Sequence, residues 1–220
     1  LPDGLKEIQD NVFYDCSSLN DITIPKGVGS LGNQAFYQCT SLTNITIHDG
    51  LKSIGNEAFY DCSALIEIKL PDGLTSIGKE AFYSCSALTS IKLPDDGLTS
   101  IGEKAFYNCS TLTSIKLPEG LKIIEKETFY GCTSLTDITI PESIEFIYDS
   151  FTGTALNTVT CLAETPPEVY FIAFMYANVI YVPAGSVEDY KKALNWSLYA
   201  DKITAMPWHS HEIRKSIKRD

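Results

Sequence analysis

This 220-residue chain is poor in the groups that do most enzymatic chemistry: of its three histidines, only His48 lies outside the last dozen residues. No G-x-S-x-G, H-E-x-x-H or phosphate-loop sequence occurs, so the usual frames for an activated serine, a catalytic zinc or a nucleotide are missing and no cofactor is expected. Cations are scarce as well. Seventeen Lys and Arg face 28 Asp and Glu, and the net charge of −11 argues against nucleic acid and anionic membranes as partners. The longest apolar stretch, residues 169–182, is broken by Asn178 and falls short of the ~18–20 residues of a spanning helix, so no membrane insertion of this segment is expected. Residues 1–20 show no secretory signal pattern, yet Leu1-Pro2-Asp3-Gly4-Leu5 reads as the middle of a repeating unit, so more chain is expected upstream. What the chain has is enough to fold: 44% apolar residues with 20% charged describe a globular protein.

Seven cysteines make an odd and sparse set for a disulfide scaffold. Their spacing carries the information. Cys16, Cys39, Cys62, Cys85, Cys109 and Cys132 recur every 23 residues, with one interval of 24 where Pro94-Asp95-Asp96-Gly97 holds an extra aspartate. Each unit runs Pro-Asp-Gly-Leu-x-x-Ile-Gly-x-x-Ala-Phe-Tyr-x-Cys-x-x-Leu-x-x-Ile-x-Leu, as in residues 71–93. Alternation around Ile91-Lys92-Leu93 predicts a short strand with two side chains inward and the lysine outward. Pro94 ends it, having no N–H for a ladder. Gly78 is read as the place where the chain bends. A 23-residue unit cannot bury its own apolar face, so the units must stack, as strands ~4.8 Å apart, into a solenoid roughly 35 Å long.

The pattern Leu-x-x-Ile-x-Ile/Leu-Pro followed by Gly-Leu-x-x-Ile-Gly-x-x-Ala-Phe-x-x-Cys-x-x-Leu resembles the BspA-like leucine-rich repeat family of bacterial surface proteins, over about residues 1–161. The resemblance implies a mainly β leucine-rich-repeat solenoid of about seven to eight coils. It places a parallel sheet on the concave face and short strands or 3₁₀ turns on the convex face. Gln9 and Glu125 depart from it where glycine is usual, and His48 where proline is usual. Residues 162–208 read as a degenerate last coil and a small helical C-terminal cap, and residues 209–220 as a basic tail. In the cap, Ser186-x-x-Asp189 predicts a capping box for a helix over 187–194, with Trp196, Tyr199 and Ile203 placed to seal the core. The resemblance further implies a noncatalytic interaction module, not an enzyme, on an extracellular or cell-surface protein that adheres to host or cell-surface ligands. The alternative is a cytoplasmic scaffold or inhibitor.

Four repeated lanes are candidate sites. The cysteine column reads as small buried hydrophobes, with partial disulfides or metal ligation as the competing uses. Tyr14, Tyr37, Tyr60, Tyr83, Tyr107 and Tyr130 each follow a core phenylalanine and form either a packing column or, at Tyr60, Tyr83 and Tyr107, a ribbon for a sugar or protein. The outward strand centres are Thr23, Thr46, Lys69, Lys92, Lys116, Thr139 and Thr160, beside a lane that includes Glu67, Ser90 and Ser114. Three lysines at mid-sheet suit an anionic loop or sugar acid, so a protein or glycan ligand is expected on the concave face; solubilising charge is the plain alternative. Asp49, Asp72, Asp95, Glu119 and Glu142 make an acidic lane that lacks a calcium-loop spacing. Beyond Trp208, Arg214, Lys215, Lys218 and Arg219 sit against two acids, so the rest of the chain carries −13.

Overall fold

The structure is a computed structural model that describes residues 1–207. The basic tail, residues 209–220, with the two remaining histidines, His209 and His211, lies outside the described residues. Each unit forms one coil with two parallel ladders. Long strands make one face, at Asp21–Ile24, Asn44–Ile47, Glu67–Lys69, Ser90–Lys92, Asp137–Ile140, Thr158–Cys161 and Val179–Val182, with a single bridge residue at Ser114. A ninth rung, Ile203–Ala205, comes from the cap and pairs with Val179–Val182. Two-residue strands such as Ser53–Ile54 and Ser76–Ile77 make the second, lateral ladder. The stack therefore holds one rung more than the seven or eight coils expected.

Register follows the repeat. Ser30 pairs with Ser53 and Ser53 with Ser76, while Asp21 pairs with Asn44 and Glu67 with Ser90, so like residues lie over like. One apolar core results, running from Ile8 to Ile203 through columns of Leu, Ile, Phe and Cys. Phe36, Phe59, Phe82, Phe106 and Phe129 are fully buried, and their rings stack with centroids 5.2–5.6 Å apart.

Hydrogen bonding alternates in direction around the coil. On the lateral ladder each N–H reaches back, as in Gly55 N–H to Leu31 O (2.8 Å) and Gly78 N–H to Ile54 O (2.9 Å). Around the phenylalanine it reaches forward, as in Phe36 N–H to Ala58 O (2.8 Å) and Phe59 N–H to Ala81 O (2.7 Å). The forward-bonded segment is a run of tight turns closed by i+3 to i bonds, such as Tyr60 N–H to Glu57 O (3.1 Å) and Cys62 N–H to Phe59 O (3.2 Å). Two residues per coil adopt left-handed backbone there, for example Glu57 and Asp61 at φ 55° and 53°. Polar residues fill nearly all these positions, which keeps the cost of the left-handed region low.

The repeat glycine has a different role from the bend expected of it. A Cβ on Gly55 or Gly78 would lie within 2.6 Å of the preceding coil's backbone, so glycine is required for close approach. The lateral ladder is interrupted once, Ser100–Ile101 and Ile123–Ile124 falling in separate sheets, and then continues through Phe146–Ile147 and Glu168–Val169 with Tyr148 and Tyr170 at the glycine position. The cap also departs from expectation. Its helix covers Val187–Lys192 and Ser186 makes no side-chain capping bond, because a 3₁₀ turn over Ala184–Ser186 already holds its backbone in helical geometry.

Candidate functional site

The cysteine column is sealed. Cys39, Cys62, Cys85, Cys109 and Cys132 are fully buried free thiols. Each donates its S–H to the carbonyl of a phenylalanine one coil back, Cys62 to Phe36, Cys85 to Phe59 and Cys132 to Phe106 at 3.1 Å, so the thiols are donors in a ladder rather than partners of each other. Burial pushes Cys39 up to about 11 and Cys132 up to about 12, and Cys62, Cys85 and Cys109 well above the ordinary thiol range. A thiolate, the form that attacks or binds metal, is thereby suppressed.

The tyrosine column stacks face to face, with centroids 4.5–4.7 Å apart from Tyr14 to Tyr130. Tyr60, Tyr83 and Tyr107 thus spend their ring faces on each other and present only edges and hydroxyls. Burial, followed by the neighbouring phenols and the Glu80 and Asp61 carboxylates, pushes Tyr60 up to about 12. This column lies on the forward-bonded turns, on a different side of the coil from the strand lysines, so the structure does not bring the two sets of candidates together.

On the long-strand face the outward lane is aligned as expected. Thr46, Lys69, Lys92 and Lys116 are exposed and Thr139 is half-buried, while Ile45, Ile68, Ile91 and Ile115 between them point into the core. Thr23 is opposite Thr46, Lys69 opposite Lys92, and Thr139 opposite Thr160. A shallow depression of about 460 Å³ runs over this surface between Asn44 and Lys92, with Thr46, Glu67 and Lys69 in its lining. Lys116, on the next rung and outside that lining, is engaged 2.8 Å from Asp95. That pairing depends on the 24-residue coil and was not legible in the spacing, since Asp49 and Asp72, in the 23-residue turns, form no ion pair with Lys69 or Lys92 among the described residues.

The largest cleft among those described, about 660 Å³, is open and lies between Glu142–Phe146 and Ala163–Glu168. Four carboxylates line it. Glu145 is paired with Lys122 at 2.8 Å and Glu168 accepts the Tyr170 hydroxyl at 2.9 Å. No nucleophile with an adjacent base is among its lining residues, which gives no support to an active site beside the cap.

A 23-residue coil built on Leu, Ile, Ala-Phe and a buried Cys, repeated in register, is matched by the family profile described as BspA type leucine rich repeat region (6 copies), over residues 1–96 and 52–179. The chain belongs to the BspA-type leucine-rich repeat family. Its fold is similar to a leucine-rich repeat protein of T. pallidum, with 35% identity and a TM-score of 0.66 over 70% of this chain and 74% of that one. It is also similar to a leucine-rich repeat protein from Bacteroides ovatus, with 25% identity and a TM-score of 0.64 over 82% of this chain and 59% of that one. A comparison with curated proteins finds no match. BspA-type repeats are typical of protein-interaction modules, and no helix among the described residues is long and apolar enough to cross a membrane.

Proposed function

We propose that this BspA-type chain is a noncatalytic interaction module of a bacterial cell-surface or secreted protein, and that it binds a protein or glycan ligand through its long-strand face. The observation that carries the reading is the continuity of that face. Outward side chains from Thr23 to Thr160 share one face built from three successive parallel sheets, their neighbours locked in the core, and the lane is exposed from Thr23 to Lys116. Such a surface is preorganised and loses little side-chain freedom at Thr and Ser positions on binding. Catalysis calls for a local break in repeat symmetry, and the described clefts offer none with the required groups.

The test is binding of the fluorescently labelled chain to host epithelial cells, with Thr46→Arg and Thr139→Arg on the long-strand face and Tyr60→Ala and Tyr107→Ala on the tyrosine column. Loss of binding of tenfold or more with the arginine pair, and less than twofold with the tyrosine pair, is expected. Binding that survives the arginines, or fails only with the tyrosines, rejects the long-strand face as the ligand surface.

A further inference from the structure

Lys69 and Lys92 stand directly opposite each other on neighbouring parallel strands, about 4.8 Å apart at the backbone. Both are exposed and neither has a carboxylate within ion-pair distance among the described residues. Lys116, the next lysine of the lane, has one at 2.8 Å in Asp95, so what sets Lys69 and Lys92 apart is that two such lysines face each other across one ladder. Like charges placed opposite each other in a ladder are unfavourable, and the single Glu67 carboxylate in the same depression leaves the pair with a net positive charge. Thr46 flanks Lys69 on the previous rung, Ser90 shares the strand of Lys92, and all four residues line the same depression.

We propose that Lys69 and Lys92 form a clamp for a single carboxylate, a Glu or Asp side chain projecting from the partner that docks on the long-strand face. The proposal rests on the reading of that face as the ligand surface. An oxygen of the incoming carboxylate accepts from each ammonium, and the Thr46 and Ser90 hydroxyls supply donors on either side. Two features limit the ligand to one or two charges. Glu67 lies in the neighbouring lane of the same depression, and the chain as a whole carries −11. Over the ~8–10 Å screening length of physiological salt a carboxylate at the clamp senses the two lysines and Glu67, whereas an extended polyanion also meets the acidic body. Asp95 sets the boundary: it holds Lys116, so the positive site ends at Lys92 rather than running across three rungs.

Side-chain NMR of the lysine ammonium-bearing carbons in the whole chain tests this, with the blocked tripeptide acetyl-Ser-Glu-Ser-amide as probe, acetyl-Ser-Gln-Ser-amide as neutral control and a heparin hexasaccharide as polyanion. The Glu peptide is expected to shift Lys69 and Lys92 along one saturable curve and to leave Lys116 unmoved, and the Gln peptide to do neither. Lys92→Gln should weaken the response of Lys69 about tenfold and Lys116→Gln by less than twofold. The clamp is overturned if the Gln peptide acts like the Glu peptide, if Lys116 responds with Lys92, if Lys92→Gln changes nothing, or if the hexasaccharide saturates the pair in place of the peptide. A saturable Lys69 and Lys92 response alongside cell binding indifferent to Thr46→Arg and Thr139→Arg would sink the functional reading and leave the clamp. The reverse result would sink the clamp alone.

Discussion

Cys85 touches solvent nowhere, and its thiol donates to Phe59 O of the preceding coil, with Sγ 3.1 Å from the oxygen. Thr154, which occupies the same place in a later coil, turns its hydroxyl to its own Phe151 O at 2.7 Å instead. The cysteine thus adds an intercoil hydrogen bond that a small hydrophobe of the same volume would lack. The raised thiol values have a consequence for stability. An unfolded cysteine ionises near ~8.5, while Cys39 and Cys132 stay protonated up to about 11 and 12 and the thiols between them are raised too. Below pH ~8.5 both states hold the proton and there is no pH dependence from this source. Above it the folded state binds more protons than the unfolded state, so stability falls as pH rises until the folded thiols themselves ionise. Each thiol contributes a slope of up to ~1.4 kcal/mol per pH unit. Urea unfolding at pH 8 and pH 10 should show a marked loss at the higher value, and Cys85→Ala, measured the same way, should reduce that loss by about one thiol's share. An unchanged pH slope in Cys85→Ala would refute the account.

At the scale of the element, the long-strand ladder breaks where a side-chain bond of the repeat is missing. Thr43, Thr89 and Thr113 each add a hydroxyl bond to the preceding coil's carbonyl, at 3.1, 3.3 and 3.3 Å. Ile66 has no hydroxyl to give, and Thr136 turns its own to Asp137 at 2.7 Å. At these two positions the long-strand face separates into sheets, between Asn44–Ile47 and Glu67–Lys69 and again before Asp137–Ile140. The lateral ladder also breaks once, before Ile123–Ile124, whereas Tyr148, at the repeat position of Glu125, keeps its N–H bond to Ile124 O at 3.0 Å. The forward-bonded turns continue past the breaks, as with Phe106 N–H to Thr128 O at 2.9 Å, and hold the coils together there. Amide hydrogen exchange should therefore be faster at Ile66 and Glu125 than at Thr89 and Gly102, by tenfold or more if each missing bond lowers local protection by ~1.4 kcal/mol. Equal protection at the paired positions would show that the breaks carry no energetic weight.

For the whole molecule the decisive fact is that each coil contacts only its neighbours, so the last one needs a lid. Trp196 provides it. The indole is fully buried, packs 5.4 Å from the Phe174 ring and 4.9 Å from Tyr190, and donates its N–H to Pro167 O at 2.7 Å. Tyr190, also fully buried, donates to Ala163 O at 2.8 Å, which ties the helix to the preceding coil. Trp196→Ala should destabilise by ~3–5 kcal/mol and do so locally. Limited proteolysis with mass spectrometry should find new cleavage around residues 165–180 while the coils around Cys62 and Cys85 stay protected. Uniform loss of protection along the chain would mean that the rod unfolds as one cooperative unit and that the cap is not a separable seal.

The 23-residue period, the inward columns and the outward lysine and threonine lane were all legible in the sequence, because stacking in register converts a repeat directly into rows of like residues. Other features arise from what neighbouring coils do to each other, and the sequence alone left them open or misread them. Gly78 reads as a bend but serves close approach. Ser186 reads as a cap but is pre-empted by a 3₁₀ turn. The three-lysine stripe becomes a pair because Asp95 reaches Lys116. Spacing along the chain determines which residues share a column; only tertiary contact decides which of their polar atoms find partners across the 23 residues between one coil and the next, and which are left to meet a ligand.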